Sequence, residues 1–503
     1  MTNCSHICKD NNDKARPNCA VVGVYNNPEA SIMAYYALHA LQHRGQEASG
    51  ITTIYYDEAK QKKKYAYIKG EGLVLDVFSE DGALTEVLKG DIAVGHNRYS
   101  TTGASKIANI QPFNMIYKDG ILSLAHNGNL TNSKTIKKML QDEGAIFQTT
   151  TDSEVFLHLI ARSKKETKVE QIREALQTAQ GAYSVCVITD EGLVAARDPH
   201  GVRPLSIGRK KMESGEYSYM VASESAAFDI VNYEYVRSLK HNEMIVINEK
   251  TIETGEIESY NIIAETPIAK HCIFEYVYFS RPDSKIFGHN VDKVRRKLGK
   301  NLSEESPVYP IGDEKINVIS VPDSSNTAAL GYARINDKNI TPTVFEIGLI
   351  RSHYVGRTFI SPGQNNREFK VKTKFNTVKG VIENRNIVVI DDSIVRGTTS
   401  KALMKLINDS KPLKLHMRVS SPPVKFPCYY GMDFPSREEL IANSYDSEEK
   451  LAEYIGVDTL KYLSLEKMIE AMPQDEGVSY CDACFTGNYP IPIENFQEKL
   501  NEE

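Results

Sequence analysis

The chain has 503 residues, of which 41% are hydrophobic and 25% charged, and its formal net charge is −6. That length suits roughly two to four domains with cores of their own, and the mild acidity argues against bulk attraction to nucleic acid or an anionic membrane. No apolar run is long enough to span a bilayer, and residues 1–18 lack the apolar stretch of a secretory signal, so a cytoplasmic protein is expected. Eight cysteines fall at 4, 8, 19, 186, 272, 428, 481 and 484. A long chain in a reducing compartment does not need them as disulfides, so each is read separately. Cys186, within YSVCVITD, reads as a small buried hydrophobe.

Cys19 opens the apolar strand CAVVGVYNN, and everything before it is polar. Removal of residues 1–18 would leave Cys19 at the N-terminus, where an α-amine with a pKa of about 8 can act as base for its own thiol. MAYYALHALQHRGQEAS reads as a helix ending in a polar loop, and SGITTIYY as a strand. IAVGHNRYSTTG is a strand running into a loop with Arg98 and Tyr99. LSLAHNGNLTN predicts a strand and a turn through Asn127–Gly128, and TTDSEV a helix start with Asp152 as cap. Arg98 offers a planar fork for a carboxylate, and Asp152 a counter-charge for an ammonium. Asn127 and the Gly128 N–H offer two donors to an oxyanion. A thiol, an oxyanion hole and a pair of opposite charges together describe a site for free glutamine. ARDPHGVRPLSIG and VASESAAFDIV continue this half, and VINEKTIETGEI predicts a closing hairpin, with the boundary near 262–270.

In the second half, Val318–Val321 predicts a buried strand running into Pro322, Asp323, Ser324 and Ser325. Residues 348–380 are long and basic, with Arg351, Arg357, Arg367, Lys370, Lys372, Lys374 and Lys379. Such a loop suits a lid over a pyrophosphate group. Ile387–Ile390 is a β-branched run, the pattern of a strand covered on both faces, and Asp391 and Asp392 stand at its carboxyl end, where open α/β sheets place ligands. Arg396, Gly397, Thr398, Thr399 and Ser400 form a predicted loop before the helical KALMKLIND. A loop entering a helix N-terminus suits a phosphate, while acids suit ribose hydroxyls or Mg²⁺. A phosphorylated sugar satisfies both. Cys481 and Cys484 form C-x-x-C; with Cys272 and Cys428 they could hold zinc or an iron–sulfur cluster; spacing alone does not choose, and zinc is the first expectation.

Cys19, LQHRGQEASGI, GHNRYSTTG, LAHNGNLTN and TDSEV, in this order, resemble the class II glutamine amidotransferases. Asn97 is a departure, since relatives often carry an apolar residue there. IVVIDDSIVRGTTS resembles the 5-phosphoribosyl-1-pyrophosphate (PRPP) motif of phosphoribosyltransferases, and HCIFEYVYFSRPDSKIFG resembles the opening of the second domain of the amidophosphoribosyltransferases. The resemblance covers residues 19 to about 490. It implies an N-terminal-nucleophile hydrolase fold, a four-layer αββα sandwich, over 19–265. A type I phosphoribosyltransferase parallel-sheet domain follows over 266–490, with a prosegment at 1–18 and a polar tail at 491–503. The implied glutaminase site is Cys19, Asn127 and Gly128, with Arg98, Tyr99 and Asp152 on glutamine. The implied PRPP site is Asp391, Asp392, Arg396, Gly397, Thr398, Thr399 and Ser400 with Arg357 of the lid, and Ser324, Asp391 and Asp392 on Mg²⁺. One branch of the family holds a structural 4Fe–4S cluster on cysteines in the contexts of Cys272, Cys428, Cys481 and Cys484, which reverses the preference for zinc. The implied reaction is ammonia transfer from glutamine to PRPP, giving 5-phosphoribosylamine at the start of purine synthesis. A homotetramer inhibited by purine nucleotides is implied, with a sheltered route for ammonia. Another class II amidotransferase, or a silent PRPP-binding paralogue, are the alternatives.

Overall fold

The computed structural model describes residues 19–99, 107–310, 315–339, 343–352, 373–434 and 436–494. The prosegment and the lid residues Arg357, Arg367, Lys370 and Lys372 therefore lie outside the described residues. The chain divides into two compact units. One contains 17–292 together with 427–433 and 473–503, and the other contains 293–426 and 434–472. Two late stretches thus return to the unit built by the first half, a division by packing that no boundary in the chain order expresses.

The first unit is built on two antiparallel sheets. The seven-stranded sheet runs Glu234–Ser238, Ser206–Lys211, Tyr217–Ala222, Ala20–Tyr25, Ile92–Arg98, Ala48–Asp57, Lys62–Glu71. The six-stranded sheet runs Glu258–Asn261, Glu243–Ile247, Gly192–Arg197, Gly181–Thr189, Gly120–Leu130, Phe113–Tyr117. Alternate residues of the central strands face inward from both sheets, since successive strand side chains point to opposite faces. Val21, Val94 and Val221 meet Ala125, Cys186, Ile188 and Ile245 in this middle core. Cys186 is a buried hydrophobe there, as its sequence context suggests. The outer face of one sheet takes the helix Ala30–Ala40, and that of the other takes Ser133–Asp142, Glu154–Arg162 and Lys168–Thr178. The result is the four-layer sandwich.

Three local expectations change. Asn127–Gly128 is no turn: the strand continues to Leu130, with Asn127 opposite Ser184 and Gly128 opposite Tyr183. Gly128 has φ +148°, and a Cβ on it would lie 1.9 Å from the Ala182 carbonyl oxygen. The glycine answers a close backbone approach, not a reversal. Asp152 is not the helix cap; Ser153 takes that position and the Asp152 carboxylate turns to the Leu130 N–H at 2.8 Å. VINEKTIETGEI does not form a simple hairpin. The strands at its two ends, Glu243–Ile247 and Glu258–Asn261, pair, but a helical turn, Glu249–Thr254, stands between them. Asn248 Oδ1 accepts the Thr251 N–H and Gly255 closes the turn at φ +76°, a cap at each end.

The second unit carries a parallel five-stranded sheet in the order Thr343–Phe345, Ile316–Ser320, Asn386–Asp391, Lys414–Val419, Thr459–Tyr462. Helices Asn326–Asn339, Thr398–Asn408 and Glu448–Ile455 make the crossovers. The strand order reverses between Ile316–Ser320 and Asn386–Asp391, and ligands bind at the carboxyl ends beside such a switch. Here the helix starts at Thr398, so Thr398, Thr399 and Ser400 form its first turn and not a loop. Gly397, at φ +76°, is its N-cap and makes the tight entry. Leu349–Arg351 pairs with Phe375–Thr377, forming a short ribbon at the base of the basic segment.

A thiol site, a phosphate cradle and a four-cysteine cavity

Cys19 sits just before the strand Ala20–Tyr25, between Ile92–Arg98 and Tyr217–Ala222. The residue is partly exposed, but its thiol turns inward and donates to the Tyr99 carbonyl at 3.6 Å. Burial pushes the thiol pKa up; the Tyr99 hydrogen bond and the Arg98 charge pull it down, and Asp152 pushes it up. Cys19, Arg98, Tyr99 and Asp152 are therefore brought within reach of one another. A thiol held up by burial is protonated at rest, so attack requires a base at the moment of reaction.

Asn127 is fully buried, and both atoms of its side-chain amide lack a hydrogen-bond partner. A buried amide pays heavily for such an arrangement unless a ligand supplies the partner. His96 Nε2 bonds the His126 carbonyl oxygen at 3.2 Å, linking the strand of Arg98 to that of Asn127. Burial holds the His96 pKa down at about 3, and the imidazole is neutral. Asn97, the departure from the family pattern, has ordinary partners: it donates to the Leu38 carbonyl at 2.7 Å and accepts from Ser49 at 2.9 Å.

Sequence reading overlooked a buried ionic network in this unit. Arg44 pairs with Glu224 and, at 2.7 Å, with Glu275; Glu275 also pairs with Arg203 at 3.2 Å. All four side chains are fully buried. Arg44 Nε donates to the Cys19 carbonyl at 3.3 Å, so the network grips the nucleophile's backbone. Each of the four shares its motif segment with at least one other charge, with nothing in the sequence to set it apart.

In the second unit Asp391 ends its strand, and both Asp391 and Asp392 are buried. Ser324 Oγ donates to Asp392 at 2.5 Å, and Ser325 Oγ lies 3.3 Å from both carboxylates. The three residues assigned to Mg²⁺ are thus together. Their oxygen donors fit a hard cation held by one or two carboxylates and completed by substrate phosphates. The first turn of Thr398–Asn408 presents N–H groups that no intrahelical carbonyl serves, beside two Thr and one Ser hydroxyls. Arg396 is paired with Glu439 at 3.3 Å.

Cys272 and Cys481 stand opposite each other in a parallel pair, Ala269–Cys272 with Val478–Cys481. Cys484 follows in the helical turn Ala483–Thr486. With Cys428 they line one cavity, closed by Arg203, Tyr430, Met432 and Tyr489. Burial pushes the Cys272 thiol up to about 11, and the Cys481 and Cys484 thiols well up. Burial opposes the Arg203 charge, and the buried Glu275 carboxylate 3.2 Å away supports it. Four thiols facing a buried cation suit an anionic multi-thiolate centre. Among the described residues, no group of three or more His, Cys, Asp or Glu is gathered closely enough to hold a metal ion. Among them, too, no helix is long and apolar enough to cross a membrane.

Residues 96–229 match the model of a glutamine amidotransferase domain. The chain is 45% identical to Amidophosphoribosyltransferase 1, chloroplastic, of Arabidopsis thaliana, over 96% of this chain and 80% of that one. It is 43% identical to the amidophosphoribosyltransferase of Bacillus subtilis (strain 168), over 94% of each. Among solved structures, glutamine PRPP amidotransferase from B. subtilis complexed with ADP and GMP matches with TM-score 0.83 and 41% identity, over 95% of this chain and 98% of that one. A structure described as the allosteric regulatory enzyme of purine biosynthesis matches with TM-score 0.84, also at 41% identity, over 95% and 97%. With both halves matched in one alignment, the chain belongs to the amidophosphoribosyltransferases.

Proposed function

We propose that this chain uses the residues above for the reaction of its family: glutamine-dependent amination of PRPP to 5-phosphoribosylamine, with release of glutamate and pyrophosphate, at the start of purine synthesis. The observation that carries the reading is a buried, unpartnered Asn127 amide in the unit that holds Cys19 beside Arg98 and Asp152. The Cys19 sulfur attacks the side-chain amide carbon of glutamine. Its proton passes to the α-amine freed by loss of residues 1–18. Asn127 and the Gly128 N–H hold the oxyanion, the α-ammonium gives its proton to the amide nitrogen as the C–N bond breaks, and ammonia leaves. Water then cleaves the thioester to glutamate. Arg98 and Tyr99 hold the substrate's carboxylate end, and Asp152 its ammonium.

In the second unit Asp391 and Asp392 hold ribose hydroxyls, and Arg396 to Ser400 hold the 5-phosphate. Arg357 joins from the basic segment. Asp391, Asp392 and Ser324 would hold Mg²⁺, which supplies charge neutralisation on the pyrophosphate. Ammonia displaces that pyrophosphate from C1. Cys272, Cys428, Cys481 and Cys484 would hold a 4Fe–4S cluster, which supplies a structural cross-link between distant segments of chain. We place the protein in the cytoplasm, whose reducing poise keeps these thiols free. A homotetramer inhibited by purine nucleotides completes the proposal, and the ADP and GMP complex of the B. subtilis relative supports the inhibition.

The test is glutamate and pyrophosphate release by anaerobically purified protein given glutamine and Mg²⁺, with and without PRPP. Equal release of both, dependent on PRPP, is expected. Glutamate without pyrophosphate would sink the acceptor. PRPP binding with no turnover of glutamine, in protein whose intact mass begins at Cys19, would identify a silent paralogue. Cys19→Ala should end glutamine-dependent synthesis and spare synthesis from added ammonia.

A further inference from the structure

The loop that carries Cys428 runs directly behind the oxyanion-hole strand. Asn129, next to Gly128, donates through Nδ2 to the Tyr429 carbonyl at 2.8 Å. Gly431, at φ +103°, backs onto Gly128 so closely that a Cβ on it would lie 2.9 Å from the Gly128 carbonyl carbon. Arg203 grips the same loop, donating to the Tyr430 carbonyl at 2.8 Å through Nη2 and 3.2 Å through Nε. The Tyr430 N–H in turn donates to the Cys428 sulfur at 3.4 Å, and its hydroxyl donates to the Ile491 carbonyl at 2.7 Å. Three consecutive residues, Tyr429 to Gly431, therefore connect a thiol of the four-cysteine cavity to the backbone of Gly128 without an intervening side-chain layer.

We propose that residues 428–431 form the outer wall of the oxyanion hole and position the Asn127 and Gly128 donors, so that glutamine turnover depends on how the Cys428 thiol is held. The proposal rests on the glutaminase reading of Cys19 and Asn127, and its last clause on ligation of the four thiols. Tyr429 and Gly431 are positioning residues: they touch the strand that touches the substrate. An oxyanion donor aimed a few tenths of an ångström off loses part of its stabilisation of the transition state. It costs little ground-state binding, because the charge it serves develops only during reaction.

The experiment compares Asn129→Ala, Gly431→Ala and Cys428→Ser with wild-type full-length protein, each matured to Cys19 and purified anaerobically. It measures kcat and KM for glutamine, ammonia-dependent synthesis, bound iron, and two labelling rates at Cys19. Iodoacetamide labelling reports the nucleophile alone. Labelling by 6-diazo-5-oxo-L-norleucine places a carbonyl in the oxyanion hole and so reports the donors as well. Asn129→Ala and Gly431→Ala are expected to lower kcat about tenfold or more. They should slow the diazo-ketone label in proportion, and leave KM, iodoacetamide labelling, iron and ammonia-dependent synthesis near wild type. Cys428→Ser should show the same split together with loss of iron. A wild-type kcat and diazo-ketone rate in Asn129→Ala and Gly431→Ala would overturn the wall. Equal slowing of both labels would overturn it too, since that is a general disturbance of the unit. Loss of iron in Cys428→Ser with wild-type label rates would overturn the dependence on the thiol. Wild-type protein without iron would refute the cluster instead, and the Asn129→Ala and Gly431→Ala result would still decide the wall.

Discussion

Glu275 is the pivot of the buried network, and its removal has a magnitude that the structure supplies. Its carboxylate accepts from Arg44 at 2.7 and 3.0 Å, from Arg203 at 3.2 Å and from the Ser280 hydroxyl at 2.8 Å. Arg44 and Arg203 are balanced by Glu224 and Glu275, all without solvent contact. Glu275→Gln keeps the shape and leaves one cation in excess. Breaking a buried pair in this way costs about 3–5 kcal/mol. For a unit of roughly 300 residues the unfolding entropy is about 0.6 kcal/mol per kelvin, so Tm should fall about 5–8 °C. Calorimetry on anaerobic protein reads this directly, with exposed Glu253→Gln as a control expected to stay within about 1 °C. Adding Arg203→Met to Glu275→Gln should cost less than the sum of the two single changes, because the excess charge is gone. A fall below about 2 °C for Glu275→Gln, or strict additivity in the double variant, would refute the reasoning.

Gly128→Ala places a methyl 1.9 Å from the Ala182 carbonyl, so the strand must shift; glutaminase kcat should drop about 10²–10³-fold while ammonia-dependent synthesis survives, and retained glutaminase activity would refute the close-packing reading. Gly397→Val adds a branched side chain at φ +76° beside Ile441, and should raise KM for PRPP while leaving iodoacetamide labelling of Cys19 unchanged. Burial lowers the folded pKa values of His96, to about 3, and of His126 and His271, so the unfolded chain binds more protons below the ordinary histidine value. Their stabilisation is complete above pH about 6.5 and is lost as pH falls toward the folded values, by up to about 4 kcal/mol per pH unit in total. Glu224 and Glu275, also held low when folded, add the same sign below the ordinary glutamate value. A Tm that stays flat from pH 7 to pH 5 would count against neutral buried histidines.

The parallel-sheet half was legible because its signals are local. Four β-branched residues, two acids and a glycine occupy one short stretch, and a strand, a ligand-facing carboxyl end and a following helix are read from them in order. The helix nonetheless starts three residues earlier than the pattern suggests, since Thr and Ser in a first turn look like loop residues to any propensity scale. Asn127–Gly128 misled for a related reason. Asn-Gly is a turn signal when only the dipeptide is considered, but the Ala182 carbonyl, from a strand more than fifty residues away, demands a glycine within a continuing strand. The helical turn at Glu249–Thr254 was marked by Asn248 and Gly255, and was overlooked because it is only six residues long.

What the sequence concealed is the reason its motif segments belong together. Arg44 lies in LQHRGQEASGI, Arg203 in ARDPHGVRPLSIG, Glu224 in VASESAAFDIV and Glu275 in HCIFEYVYFSRPDSKIFG. Each segment contributes one charge to a single buried network, and each charge alone reads as an ordinary surface residue of a polar loop. Desolvating any one of them would cost several kcal/mol, and the other three, with His43 beside Glu224, offset it. The motifs are therefore constrained twice, once by the substrate atoms they reach and once by one another. The second constraint connects Arg44 at the Cys19 carbonyl to Arg203 at the Cys428 loop. A segment such as HCIFEYVYF, which touches no substrate in the proposed reaction, is held to its sequence by Cys272 and Glu275 together: one faces the thiol cavity and the other neutralises the arginine that holds the nucleophile in place.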